Sequence, residues 1–197
     1  MNRLWFSLAT VLLALSAAAQ APPSGQRIGS FRIGEYGTFH VDSPRKGNIA
    51  YVATITGLNG GVVPATSALY DLQAKHIKLT LYRAPSKERP TDMTAQDSVQ
   101  IVIRENDATG KMVRKTVATC DKAVYKSAGG GAIKGRLRLT GNVHTVTTDP
   151  QTFVEPLDHR DKETLFTFLA NGDLEWESTS GVITGRPYES APKGTKP

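Results

Sequence analysis

The sequence predicts an all-β, antiparallel domain. Three features carry that reading. Apolar and polar residues alternate with period two through much of the chain, and Gly, Asn, Asp and Pro cut the runs into short segments. Only residues 66–74 could form a short helix, and Thr66, Ser67 and Tyr70 weaken even that.

Strands are expected at 37–41, 49–57, 74–82, 98–105, 112–125, 133–148, 164–170, 173–178 and 182–183. Ile77, Leu79 and Leu81 face one way against Lys78 and Thr80. Val99, Ile101 and Ile103 do so against Gln100 and Val102, and Leu137 and Leu139 oppose Arg136 and Arg138. A half-buried antiparallel strand needs this pattern. The connections ENDATGK (105–111) and Asn171-Gly172-Asp173 read as hairpin turns. Segments 83–94 and 149–162, with their prolines and mixed charge, read as long exposed loops. Residues 20–30 read as a flexible leader, 31–186 as the β domain and 187–197 as a disordered tail. Within 133–148, Gly141-Asn142 interrupts the alternation, which resumes at Val143. Both flanks are strand-like, so the dipeptide reads as a bulge that bends one long strand.

Residues 1–19 read as a cleaved secretory signal: Arg3, an apolar run at 4–14, then small residues up to a cut after Ala19. The apolar run is shorter than the ~20 residues a spanning helix needs. Export places the chain in the periplasm or outside the cell. It leaves 23 basic against 18 acidic residues, a net charge of +5. That favours anionic surfaces mildly, but no dense Lys/Arg block marks a nucleic-acid partner. Cys120 is the lone cysteine and can form no internal disulfide. Beside Val117 and Ala118 it reads as a small core residue.

Several motif lookalikes carry no chemistry. SAGGGAIKG (127–135) lacks the Gly-Lys-Ser/Thr ending of a phosphate loop and reads as a hairpin loop. His159-Arg160-Asp161 has no companion kinase motifs, and Ser43-Pro44-Arg45-Lys46 sits at a turn rather than a helix start. Glu175 and Glu177 share a strand face with Trp176 on the other, which reads as a solvated face over an inward Trp. His40, His76, His144 and His159 lack metal-ligand spacing. No catalytic residue, metal or cofactor is expected, and the chain reads as no enzyme.

The segment ATCDKAVYKSAGGGAIKGRLRLTGNVHTVTTDP (118–150) goes further. Asp121, Ala123 and Tyr125 are followed by a variable hairpin, then by Leu137, Leu139 and Gly141-Asn142-Val143. In these positions it resembles the OstA-like domain of bacterial lipopolysaccharide-transport proteins. Cys120 and the long Gly-rich hairpin depart from the family pattern. A looser echo, Ala68-Leu69-Tyr70 ahead of IKLTL (77–81), matches Ala123-Val124-Tyr125 ahead of LRLTG (137–141). The resemblance implies a β-jellyroll of the open β-taco type, serving lipid transport in outer-membrane biogenesis. Its apolar interior would bind lipid or lipopolysaccharide through Ile77, Leu79, Ile101, Ile103, Leu137, Leu139 and Val143. It further implies edge-to-edge pairing with another copy or with other OstA-like domains. The modest positive charge would suit phosphate headgroups. The alternative is a secreted β-sandwich for envelope structure, adhesion or carbohydrate binding, in which Trp176 and Tyr188 matter more than the interior.

Overall fold

A computed structural model of the chain describes residues 25–44, 47–83, 91–107, 109–128 and 130–184. The expected signal (1–19) and tail (187–197), Tyr188 included, lie outside the described residues. So do residues 20–24, Arg45 and Lys46. Period-two burial with one apolar face recurs along the chain, and the result is all-β and antiparallel. The strands are β1 (Gln26–Ile28), β2 (Phe31–Ile33), β3 (Thr38–Asp42), β4 (Ile49–Thr56), β5 (Val63–Thr66), β6 (Tyr70–Ala74) and β7 (His76–Tyr82). They continue with β8 (Thr91–Asn106), β9 (Met112–Ser127), β10 (Ile133–Thr148), β11 (Leu157–Leu169), β12 (Leu174–Ser178) and β13 (Val182–Thr184). All thirteen join one sheet. A single 3-10 turn at Leu58–Gly60 is the helical element among the described residues.

Four long strands, β8 to β11, change partners or register at one level. The first half of β8 pairs with β7 and its second half with β6. The first half of β11 pairs with β13 and its second half with β12. Register slips fall between Gln96 and Val99 on β8 and between Thr140 and Val143 on β10. Two left-handed pairs occupy these slips: Asp97 and Ser98 at φ 63° and 54°, and Gly141 and Asn142 at φ 75° and 46°. Between them on β9 stands Asp121. It accepts a hydrogen bond from Asn142 Nδ2 at 2.9 Å, and its carboxylate fills the space a Cβ on Gly141 would need. Gly-Asn is thus a bulge within an unbroken strand, as the alternation on both sides predicts.

This crease divides the sheet into two lobes. One contains β3, β4, β7, β12 and the adjoining halves of the long strands. The other contains β1, β2, β5, β6, β13 and the remaining halves. Their inner faces meet. Tyr70 on β6 stacks on Phe168 of β11 at 5.8 Å and meets Tyr125 edge-on at 5.7 Å, while Phe31 of β2 packs edge-on against Tyr70 and Tyr125. Gly135 leaves room for the Tyr125 ring, because a Cβ there would overlap it. One continuous row of inward residues crosses the first lobe through Ala53, Leu79, Met93, Tyr125, Leu137, Phe166 and Trp176. A row in the second runs through Leu72, Ile101, Ala118, Thr145 and His159.

Several expectations are corrected. Residues 66–74 form no helix: Thr66 ends β5 and Tyr70–Ala74 is β6, because Tyr70, Leu72 and Ala74 alternate inward and Tyr70 to Gln73 pair with β8. The expected leader includes strand β1, whose Ile28 is buried in the core. The expected loop 83–94 ends in strand, since Thr91 to Thr94 pair with β7 and Met93 and Thr94 also with β9, and 84–90 lie outside the described residues. The expected loop 149–162 gives way to β11 at Leu157. The hairpin turns at 105–111 and 171–173 form as expected. Leu169 N bonds Asp173 O at 2.9 Å, with Gly172 at φ 99°.

The crease yields a paired prediction. Gly141→Ala places a Cβ against Asp121 at positive φ and should cost about 1–3 kcal/mol. Asp97→Gly relieves a left-handed non-glycine residue and should change stability by under about 1 kcal/mol. Urea denaturation of both variants tests this. An indifferent Gly141→Ala would contradict the assigned geometry.

Candidate functional site

The seven residues expected to bind lipid come together, but as a closed core. Ile77, Leu79, Leu137 and Leu139 line the first lobe, Ile101 and Ile103 the second, and Val143 follows the crease. Each is 2 % exposed or less. None of them lines either of the two cavities described below. The space left between the lobes lies further along, where the second lobe's interior turns polar.

A cavity of about 150 Å³ opens there. Phe166, Leu174 and Trp176 form its wall on the first lobe. Thr116, Thr145, Thr147, Leu157, Glu105 and Arg114 form the wall opposite, and Thr152 and Phe153 close it from the loop after β10. Periodicity explains the wall: continuing inward from Ile101 and Ile103 on β8, the next inward position is Glu105, which pairs with Arg114 on β9. The Arg114 fork turns toward Asp149, with Nε and Nη2 donating to Oδ2 at 3.1 and 3.0 Å. Its Nη1 reaches the two Glu105 oxygens only at 3.4 and 3.3 Å. Asp149 Oδ1 takes the N–H groups of Gln151 and Thr152, tying down the covering loop. Burial pushes the Glu105 carboxyl above its usual range, Arg114 opposes that, and the charges of Asp149 and Asp173 add to it.

Beside this cavity lies a polar network that resembles a hydrolase site in composition but not in wiring. His159 is fully buried, with Trp176 edge-on at 5.1 Å. A Cβ on Gly181 would overlap the imidazole, so a glycine is needed there. His159 Nε2 and Ser178 Oγ are 2.9 Å apart, and the Ser178 hydroxyl donates to Asp161 Oδ2 at 2.6 Å. With the serine O–H directed at the carboxylate, Nε2 donates to the serine oxygen, and Nδ1 accepts from Thr145 at 3.3 Å. Asp161 also takes Thr179 N and the Ser180 hydroxyl. Partial burial would raise the Asp161 carboxyl, but the Ser178 hydroxyl and the N–H groups of Lys162, Thr179 and Glu163 outweigh it and hold it far below the carboxylate range. In a nucleophilic triad the imidazole takes the serine proton and the carboxylate orients the imidazole. Here the carboxylate holds the serine and is a very weak base. The network ties the turn between β12 and β13 onto β11.

No family model matches the chain, and no curated protein matches it.

Glu175 and Glu177 lie exposed on β12. Trp176 faces inward but keeps 37 % of its surface exposed, at the cavity wall. Cys120 is buried, and burial pushes its thiol up to about 12; the thiol donates to Lys122 O at 3.3 Å. His144 pairs with Asp158 at 2.8 Å and His40 with Asp42 at 3.1 Å. Among the described residues no three His, Cys, Asp or Glu side chains gather as a metal would require. A second depression, of about 450 Å³, lies at the crease between Gln73, Gln100, Thr119, Asp121 and Asn142. Sequence reasoning missed the cavity. Its signal was the replacement of apolar by Thr, Glu and Arg at inward positions of β8 to β10.

Two predictions follow from these ionisations. Because Asp161 is depressed in the folded state, its stabilisation is complete above its unfolded value of 3.8 and is lost as pH falls toward the folded value. Asp161→Asn should therefore flatten the stability–pH curve below about pH 4 while wild type declines, as read by thermal melts across pH. The Cys120 thiol should be inert to an aromatic disulfide reagent at pH 8 in the native protein and react fully in denaturant.

Proposed function

We propose that the chain is an exported, non-enzymatic lipid-binding protein of the lipopolysaccharide-carrier type, working in the periplasm. The observation that carries this reading is the gap between the lobes: one folded sheet encloses an apolar core, and a cavity beside it sets Phe153, Leu157, Phe166, Leu174 and Trp176 against Glu105, Arg114 and four threonines. An acyl chain gains about 0.8 kcal/mol for each methylene it buries in such a space. The crease at Gly141-Asn142, in the segment that resembles the OstA-like domain, supports the same reading. Ile77, Leu79, Ile101, Ile103, Leu137, Leu139 and Val143 would then contact lipid only if the lobes part, and the cavity residues would meet it first. Strands β1, β3, β12 and β13 each have a single strand neighbour among the described residues. Free edges of this kind suit pairing with another copy or a related domain.

A second reading draws on the depression at the crease. Its amide, hydroxyl and carboxylate lining suits a hydroxyl-rich ligand, so a secreted β-sandwich that binds carbohydrate is the alternative.

The purified full chain separates the two. On the lipid reading, organic extraction releases acyl chains, and a photo-crosslinker at Phe153 or Leu174 captures labelled lipopolysaccharide while one at Leu139 does not. Leu174→Trp should cut that capture severalfold while costing stability no more than about 1–3 kcal/mol. Absence of both acyl chains and crosslinks sinks the carrier reading. Oligosaccharide-induced shifts at Gln100 and Asn142 would establish the other.

A further inference from the structure

The polar end of the inter-lobe cavity has a charge that the chain as a whole does not. The sequence is basic, at +6. Yet Glu105 feels the charges of Asp149 and Asp173 against the single guanidinium of Arg114. That guanidinium is committed elsewhere: Asp149 takes it at 3.0 and 3.1 Å from two nitrogens, while Glu105 is left with one nitrogen at 3.3 and 3.4 Å. The Glu105 side chain is only 18 % exposed, so water cannot fully compensate the missing donors. A mostly buried carboxylate with a weak partner is a standing attraction for a cation.

The remaining walls suit an organic cation rather than a metal ion. Phe153, Phe166 and Trp176 line the same cavity as Glu105. Aromatic faces attract ammonium groups through their quadrupole, and Trp does so most strongly. Trp176 is held in place by its edge contact with His159, so its ring is positioned in advance. Leu157 and Leu174 offer apolar surface for an alkyl stem. The Thr116 and Thr147 hydroxyls bond each other at 2.9 Å, which leaves their remaining acceptor lone pairs to an N–H donor. A volume of about 150 Å³ admits one small group, not a full lipid.

We propose that this cavity binds an alkylammonium group, with Glu105 as its counter-charge and Phe153, Phe166 and Trp176 as its aromatic wall. This goes beyond the carrier reading and reverses its charge expectation: the cavity selects an amine and rejects a phosphate or carboxylate. The amine can be a free small molecule or the head of a lipid.

The test uses the purified full chain and three probes of one length: hexylammonium, hexanol and hexanoate. Calorimetry, with Trp176 fluorescence as a second readout, should give a Kd for hexylammonium at least about tenfold below that for hexanoate, with hexanol between them. Glu105→Gln should remove the preference for hexylammonium over hexanol. Hexanoate binding as tightly as hexylammonium overturns the proposal, and so does selectivity that survives Glu105→Gln. If Glu105→Gln does not fold, the ranking of the three probes on wild type decides by itself. Hexanol binding without ammonium preference would sink this proposal and leave the acyl reading intact. Ammonium selectivity in a chain that retains no acyl lipid would do the reverse. Co-sedimentation with ethanolamine-headgroup vesicles but not glycerol-headgroup vesicles would identify a lipid as the source of the amine; selectivity for hexylammonium without it would point to a free amine.

Discussion

Four long strands can close around their own apolar face only if each bends at the same level. A β-strand of ordinary residues resists that, because its φ values stay negative and its hydrogen bonds continue to the same neighbours. The left-handed pairs Asp97-Ser98 and Gly141-Asn142 release both restraints at once, on either side of Asp121. Asp and Asn tolerate this conformation better than most residues, and Gly does so freely. From that one event follow the change of partners on β8 and β11, the facing lobes and the aromatic cluster of Phe31, Tyr70, Tyr125 and Phe168 between them. Even the buried, unpartnered hydroxyl of Tyr70 belongs to this arrangement, since the ring is needed to fill the gap where the lobes close.

The interior so enclosed is graded. Toward β4 and β7 it is Ala, Ile and Leu, packed to near-zero exposure. Along the second lobe, beyond Ile101 and Ile103, the inward positions become Thr116, Thr145 and His159, and then Glu105 and Arg114. Polar groups in such positions need partners, and His159, Ser178 and Asp161 find them in each other. Branched and charged side chains also fill space less completely than a jigsaw of aliphatics. The cavity appears at that end for this reason, and it inherits both the aromatic wall and the excess of carboxylates.

Much of the fold was legible in the residues. The strand at 133–148 is legible to its ends, its bulge included, because Gly-Asn between two alternating runs favours left-handed backbone inside one strand over a turn that ends it. The equivalent bulge at Asp97-Ser98 carries no such mark, since neither residue signals left-handed backbone as Gly does, and the alternation shows β8 only from Ser98, seven residues after it starts. The short strands β1, β2, β5 and β6 carry too few residues to show a period, and pairing with β8 and its neighbours decides them. The apolar core residues were named correctly as inward. The site was harder. Glu105, Arg114 and Asp149 meet across 44 positions of sequence, and nothing local announces that encounter.

The crease has a further consequence, in arithmetic rather than in chemistry. On β8 the inward residues are odd-numbered on both sides, from Met93 and Ala95 to Val99 and Ile101, and β10 behaves alike. On β9 they are even up to Cys120 and odd from Ala123, and on β11 they are odd at His159 and even from Thr164. Two strands therefore keep their reading frame across the bend and two shift it. A single-residue insertion or deletion at the crease would turn one half of a strand inside out. Substitutions there are a matter of degree, but changes of length are not, so in the descent of this chain the bend should be conserved as a spacing before it is conserved as a motif.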